Sequence, residues 1–271
     1  MVADLVPAPN RQRAFGLLYW AINLGFAVAS MLAGLRAPID YLILFAGDAA
    51  TTLVYAAIVW RYIPETRPAE TRRESAGLAE ALANRTFLLF LGLAFLLAMV
   101  FFQHLSTLPQ AMRADGHDEW AYGRVVALNG ILIVLCQPAI TRALARFPRG
   151  PVLAAATALT GVGFGMYAVV SSVPLYGLGV AVWTLGEIAS SPLQSVIVAD
   201  LAPPAARGRY QGLFTMTWGL AFFAGPALGS WTMARVSAPA LWVGCLVVCL
   251  VTAVGYLALG PRLASAGDRR A

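Results

Sequence analysis

Residues 3–17 read ADLVPAPNRQRAFGL, and residues 199–213 read ADLAPPAARGRYQGL. The two stretches align without a gap at an offset of 196, and the alignment runs on to residues 34 and 230 through Leu24/Leu220, Phe26/Phe222 and Leu32/Leu228. Each copy has the same order of parts. An acid (Asp4 or Asp200) is followed by a proline turn, two arginines (Arg11 and Arg13, or Arg207 and Arg209) and a glycine-bearing apolar run. A chain that repeats such a unit in parallel has the signature of a membrane carrier built from two similar halves.

The rest of the chain fits a bilayer. Hydrophobic residues make up 59% of the 271, and charged residues only 12%, where a soluble domain carries roughly a quarter. Eight segments reach the ~20 apolar residues that a spanning helix needs: Ala14–Leu35, Ile39–Trp60, Phe87–Leu108, Ala121–Leu144, Pro151–Val170, Pro174–Ala199, Tyr210–Ala234 and Pro239–Gly260. In lipid the backbone must satisfy its own hydrogen bonds, so these runs are expected to be helices. The fold class expected is an all-α polytopic membrane protein with eight transmembrane helices.

All 19 basic residues are arginines, and they sit in the gaps between apolar runs. Threading eight spans puts fifteen of them on the side of the termini and leaves only Arg36, Arg113, Arg124 and Arg235 on the other. By the positive-inside rule both termini are expected to be cytoplasmic, in a cell membrane. Scattered in this way, the arginines do not make the one-sided footprint of a nucleic-acid binder. Cys136, Cys245 and Cys249 lie within apolar runs and have no metal-ligand spacing, so neither a disulfide framework nor a metal site is expected. No nucleophile–base pair stands out either, and no enzyme or cofactor is expected.

The repeat also divides the chain. Its second copy opens the fifth of the six spans that follow the polar gap Arg61–Thr86, whereas its first copy has only one further span before that gap. The expected organisation is therefore residues 1–63 as the last two helices of one half and 64–86 as a cytoplasmic linker. Residues 87–262 form a complete six-helix half, and 263–271 a tail. Symmetry implies four helices before Met1. Within the linker, Pro64 and Pro68 stop the preceding helix and Glu70–Ala83 reads as a short, charged surface helix.

These features resemble the major facilitator superfamily over essentially the whole chain. The resemblance rests on the two Asp–Pro–Arg elements, on Pro64-Glu65-Thr66-Arg67 after a helix, and on Gly225-Pro226-Ala227-Leu228-Gly229. It implies helices five to twelve of a twelve-helix carrier, most similar to the proton-driven drug antiporters. The antiporter-like proline element stands on the eleventh helix of that scheme; the fifth reads Ala29-Ser30-Met31-Leu32-Ala33-Gly34. The partners implied are a small-molecule substrate, protons and the lipid bilayer, with a monomer as the expected state.

Two acids lie deep inside spans, well away from the ends. Glu187 is thirteen residues into its run, about 20 Å along at 1.5 Å per residue and so near the midplane. An acid there faces a cavity or a partner and is positioned to exchange a proton. Trp183, Thr184, Ser190, Ser191 and Gln194 share its stripe, and Pro192 should loosen the helix and free carbonyls. Asp48, nine residues into its run, is the second proton-coupling candidate. The resemblance puts its helix outside the bundle, leaving packing and coupling both open. Cavity candidates on the central helices are Tyr19, Asn23, Gln103, Ser106, Asn129, Gln137, Trp183, Gln194, Phe214 and Trp218. Such aromatic walls with sparse polar groups suit a bulky amphiphilic or cationic solute. His104 reads as an interfacial histidine. Asp4, Arg11, Arg13, Asp200, Arg207 and Arg209 form either a cytoplasmic charge gate or helix caps. Gly225 and Gly229 form, around Pro226, a small-xxx-small packing pair.

The function expected is secondary transport by alternating access, with proton-coupled export of small hydrophobic or cationic compounds. Proton-coupled uptake of a peptide, sugar or similar solute is the alternative within transport. A membrane fragment that transports nothing is the alternative outside it.

Overall fold

The computed structural model describes residues 6–7, 10–36, 41–62 and 78–268, with the side chains of 26–36, 41–44 and 264–268 left out. Among these residues there are helices and no strands. In chain order they are α1 (Arg11–Arg36), α2 (Tyr41–Tyr62), the short α3 (Leu78–Ala83), α4 (Arg85–Phe101), α5 (Gln103–Ala114), α6 (Glu119–Leu144), α7 (Arg149–Gly165), α8 (Val173–Leu201), α9 (Arg207–Arg235) and α10 (Ala238–Asp268). From Arg85 to Leu263 six helical stretches are long and apolar enough to cross a membrane, α4 and α5 together counting as one. Helices α1 and α2, at 26 and 22 residues, also have the length a bilayer core requires. The expected Glu70–Ala83 helix is present as α3 from Leu78; its earlier residues, with Arg67 and Pro64, lie outside the described part. Ala81 of α3 is buried against the bundle while its neighbours are exposed, as expected of a helix lying on the surface.

Local chemistry explains several helix ends. The Asn84 side chain accepts from Phe87 N–H at 3.1 Å to start α4, and Asp118 accepts from Ala121 N–H at 2.8 Å to start α6. Pro174 sits in the first turn of α8, where its missing N–H costs nothing. Consecutive long helices run antiparallel. One end of the bundle gathers Arg11, Arg149 and Asp200; the other brings His117 to the Ser171 carbonyl and Tyr176 to Asp115.

One expected helix is two. The run Phe87–Leu108 breaks at Phe102, and its second part continues to Ala114. Side chains take over the ladder there: Gln103 Nε2 donates to Met99 O at 2.9 Å, and a ring nitrogen of His104 meets Phe101 O at 2.6 Å. Such local bonds compete with the helix ladder and mark a break. Gln103 also donates to Gly225 O at 2.8 Å, joining the break to α9.

Prolines inside α6 and α8 have a different outcome. Neither Pro138 nor Pro192 ends its helix, but each leaves the carbonyl four residues earlier without its usual donor. Val134 O receives Trp20 Nε1 of α1 at 2.8 Å, and Ile188 O receives Gln137 Nε2 of α6 at 3.2 Å. Helices α1, α6 and α8 are thus pinned in series through carbonyls that proline sets free. The expected loosening at Pro192 takes the form of a cross-helix bond.

Two apolar cores fill the bundle. One surrounds Phe87, Phe90, Tyr210 and Tyr256; the other surrounds Phe164, Tyr167, Trp183 and Trp242. Glycines allow the close approaches, including Gly163 in the last turn of α7, where an added Cβ would meet Trp183. A Cβ on Gly225 would sit 2.9 Å from Met99 O, and one on Gly229 would sit 2.7 Å from Gln103 Cδ. The Gly225/Gly229 pair therefore packs α9 onto the α4–α5 break, and Pro226 between them leaves α9 continuous. Gly229→Leu is expected to cost about 1–3 kcal/mol through overpacking. A clear fall in the detergent Tm would register it, and an unchanged Tm would contradict this close packing.

Candidate functional site

Glu187 is buried, 6% exposed, in the middle of α8. Its two carboxylate oxygens are taken by different helices. Tyr19 of α1 donates its hydroxyl to Oε1 in a short hydrogen bond, and Asn129 Nδ2 of α6 donates to Oε2 at 2.6 Å. Asn129 Nδ2 also lies 3.0 Å from Thr184 Oγ1, one turn before Glu187. Ser191 and Asn23 stand beside the same tyrosine hydroxyl, and Asn23 Nδ2 donates to Tyr19 O at 2.9 Å. Sequence spacing puts Glu187 at mid-span, and the fold adds two aimed donors from opposite neighbours. Tyr19→Phe should remove one charge-assisted bond, at a cost of about 1.5–3 kcal/mol. A Tm equal to that of the unchanged protein would mean that this bond contributes nothing to the α1–α8 contact.

Thirteen residues further along α8, about 20 Å away, Asp200 closes the Arg11 end. It is 4% exposed and pairs with two arginines: Arg11 Nη1 on Oδ1 at 2.7 Å, and Arg149 Nη1 on Oδ2. Arg11 is itself 7% exposed and donates Nε to Val6 O at 3.2 Å. The arginine of the first repeat copy thus pairs with the aspartate of the second. Asp4, the repeat counterpart of Asp200, lies outside the described residues. Arg13 and Arg209 form no ion pair with Asp200 among the described residues, and Arg207 has an interaction of its own.

The other candidates separate by environment. Gln137 spends its amide N–H on Ile188 O and on Thr141 Oγ1 at 2.9 Å, and Gln103 is consumed by the α4–α5 break, with Thr107 Oγ1 on its Oε1 at 3.0 Å. Both are ties between or within helices. Among the described residues, the fully buried Gln194 has neither amide atom hydrogen-bonded, and the Ser106 hydroxyl and Trp218 indole N–H also have no partner. Trp183 is fully buried in the second core, its Nε1 donating to Tyr167 OH at 3.0 Å. Trp218 sits 5.8 Å from both Phe101 and Phe102 and 6.3 Å from Phe214, so an aromatic wall runs along α4 and α9. His104 is half-buried, 4.7 Å from the ring of Phe101 and 5.5 Å from that of Trp183. Asp48 stands on an exposed face of α2 and is not among the partners of Glu187. No cluster of metal-ligating side chains occurs among the described residues.

Three groups escaped the sequence reading. Arg149 is the second partner of Asp200, yet in sequence it is one loop arginine among several. Phe101 and Phe102 supply the wall's inner side but sit in a run of apolar residues with nothing to single them out.

Six long apolar helical stretches from Arg85 to Leu263 mark a multi-pass membrane protein. The family model of the Major Facilitator Superfamily matches residues 1–122 and 107–270. The chain belongs to that superfamily, whose members are transporters. It is 25% identical over 274 residues to the MFS-type transporter YttB of Bacillus subtilis, covering 99% of this chain and 69% of the relative. It is 24% identical over 241 residues to a Na(+), Li(+), K(+)/H(+) antiporter of Planococcus maritimus, covering 78% and 57%. In fold it is similar to the human organic anion transporter MFSD10 (TETRAN), with a TM-score of 0.73 at 19% identity. That match covers 94% of this chain and 66% of the MFSD10 chain. The chain thus spans about 57–69% of the length of these proteins.

Proposed function

We propose that the protein is a proton-coupled exporter of small hydrophobic or cationic compounds that works by alternating access. The observation that carries this reading is the Glu187 carboxylate, buried at mid-span and held by Tyr19 on one side and Asn129 on the other. When ionised, both oxygens accept charge-assisted bonds, which are roughly twice as strong as neutral ones. Protonation removes that charge and weakens the tie to Tyr19, so α1 and α8 can part. Proton uptake and opening of the seam are then one event.

The aromatic wall of Phe101, Phe102, Phe214 and Trp218 supports a flat, apolar cargo, and ring faces also suit a cation. The Planococcus relative, a cation/proton antiporter, supports exchange against protons. Residues 1–63 would belong to one rocking half and 87–262 to the other, with 64–86 as the linker and 263–271 as a tail. The arginine asymmetry supports a cell membrane location with both termini cytoplasmic, and a monomer is the state we propose. In this orientation the Asp200 triad is the cytoplasmic latch.

The test is to reconstitute the full chain in vesicles carrying an internal pH dye and add ethidium, a lipophilic cation. Ethidium movement should drive an opposite proton flux. Ethidium movement with no change in lumenal pH would overturn the coupling.

A further inference from the structure

We propose that the cavity between α1 and α6 at the Arg11 end binds the anionic headgroup of a phospholipid, which bridges the two helices across their seam. The cavity measures about 340 Å³ and takes Arg13 and Leu17 from α1, and Pro138 and Arg142 from α6. Asn10 and Gln12 also line its wall, and no acid does among the described residues. The ion pairing of this end leaves the two arginines over. Asp200 is saturated by Arg11 and Arg149, while Arg13 and Arg142 are exposed and form no ion pair among the described residues.

The order of residues along each helix distinguishes a lipid from a free anion. Helix α1 enters the bundle at this end and α6 leaves it here. Going inward, Arg13 is followed one turn later by the exposed Leu17 on α1, and Arg142 by the exposed Pro138 on α6. Both walls therefore offer guanidinium at the rim and apolar surface beneath, matching a phosphate headgroup above acyl chain. A phosphodiester accepts two hydrogen bonds from a guanidinium fork, and basic pockets between membrane helices suit anionic headgroups. At the cavity wall the helices touch, since a Cβ on Gly16 would lie 2.9 Å from Thr141 Cγ2 and both residues line it. Further in, Trp20 is bonded to Val134 O. The lipid would thus join the two arginine-bearing rims of a seam that is already closed below, and hold that end shut.

The test uses the full chain extracted from vesicles of equal phosphatidylglycerol and phosphatidylcholine, with retained lipid counted by native mass spectrometry. The unchanged protein should retain phosphatidylglycerol in preference to phosphatidylcholine. Arg13→Gln/Arg142→Gln should reduce that retention roughly tenfold, while Arg113→Gln/Arg235→Gln at the opposite end should not. Equal retention by the two double variants, or equal retention of the two lipids, would overturn the proposal. So would displacement of phosphatidylglycerol by millimolar inorganic phosphate, which would mark a free-anion site.

Discussion

Glu187→Gln is expected to abolish transport driven by a pH gradient while leaving the protein folded and able to exchange cargo down its own gradient. Glutamine keeps the size and one acceptor oxygen, so Asn129 retains its bond at Oε and Tyr19 can accept from the new amide. What is lost is the proton. A carboxyl group at this position can alternate between a charged state that ties α1 to α8 and a neutral state that does not; an amide cannot. In proteoliposomes the variant's uptake or efflux rate should no longer depend on the imposed pH difference. Full pH-driven transport in the variant would remove Glu187 from the coupling and leave it a packing residue.

The second large effect is expected at Asp200. It is buried between two arginines, and Arg11 is buried with it. Asp200→Asn leaves two guanidinium groups facing an amide, and breaking a buried pair from one side costs on the order of 3 kcal/mol. The detergent Tm should fall by several degrees. Because the triad joins α1 to the α7 and α8 ends, the seam should also open more readily at this end. Glu119→Gln is the internal comparison. Its bond to Arg113 spans 3.1 Å, but the side chains are 88% and 68% exposed, and such surface pairs are worth about 0–1 kcal/mol. Equal Tm changes for the two substitutions would contradict the burial argument.

Much of this architecture is legible in sequence because lipid constrains it so strongly. A bilayer admits only helices here, hydropathy marks the six spans from Arg85 onward, and the offset of 196 relates α1 to α9 before any coordinates are considered. Glu187 is legible for the same reason, since an acid in an apolar run has few tolerable places to go. The partnerships are less so. Nothing in the sequence says that Tyr19 and Asn129 will converge on Glu187, because that depends on how three helices rotate about their axes. Both were named only as members of polar stripes. Gln103 and Gln137 share that kind of stripe, yet their amides serve a helix break and a proline-freed carbonyl. The break at Phe102 was hidden too, because the apolar run leads straight up to it and the bonds that mark it are made by the next two side chains, Gln103 and His104. The two Asp–Pro–Arg elements were visible as a repeat. That Arg11 of one would pair with Asp200 of the other is a property of the packed halves.

The central claim is that the charge on Glu187 holds α1 against α8. It is tested most directly by measuring the distance between those helices as pH changes. Spin labels can replace Leu18 on α1 and Leu185 on α8, both exposed, with Cys136, Cys245 and Cys249 changed to alanine. Pulsed dipolar spectroscopy on the reconstituted full chain should then give a short distance at high pH and a growing longer population as pH falls. With Glu187→Gln the distribution should become independent of pH. A distribution that is the same at every pH in the protein with Glu187 intact, or a pH response that survives Glu187→Gln, would contradict the account.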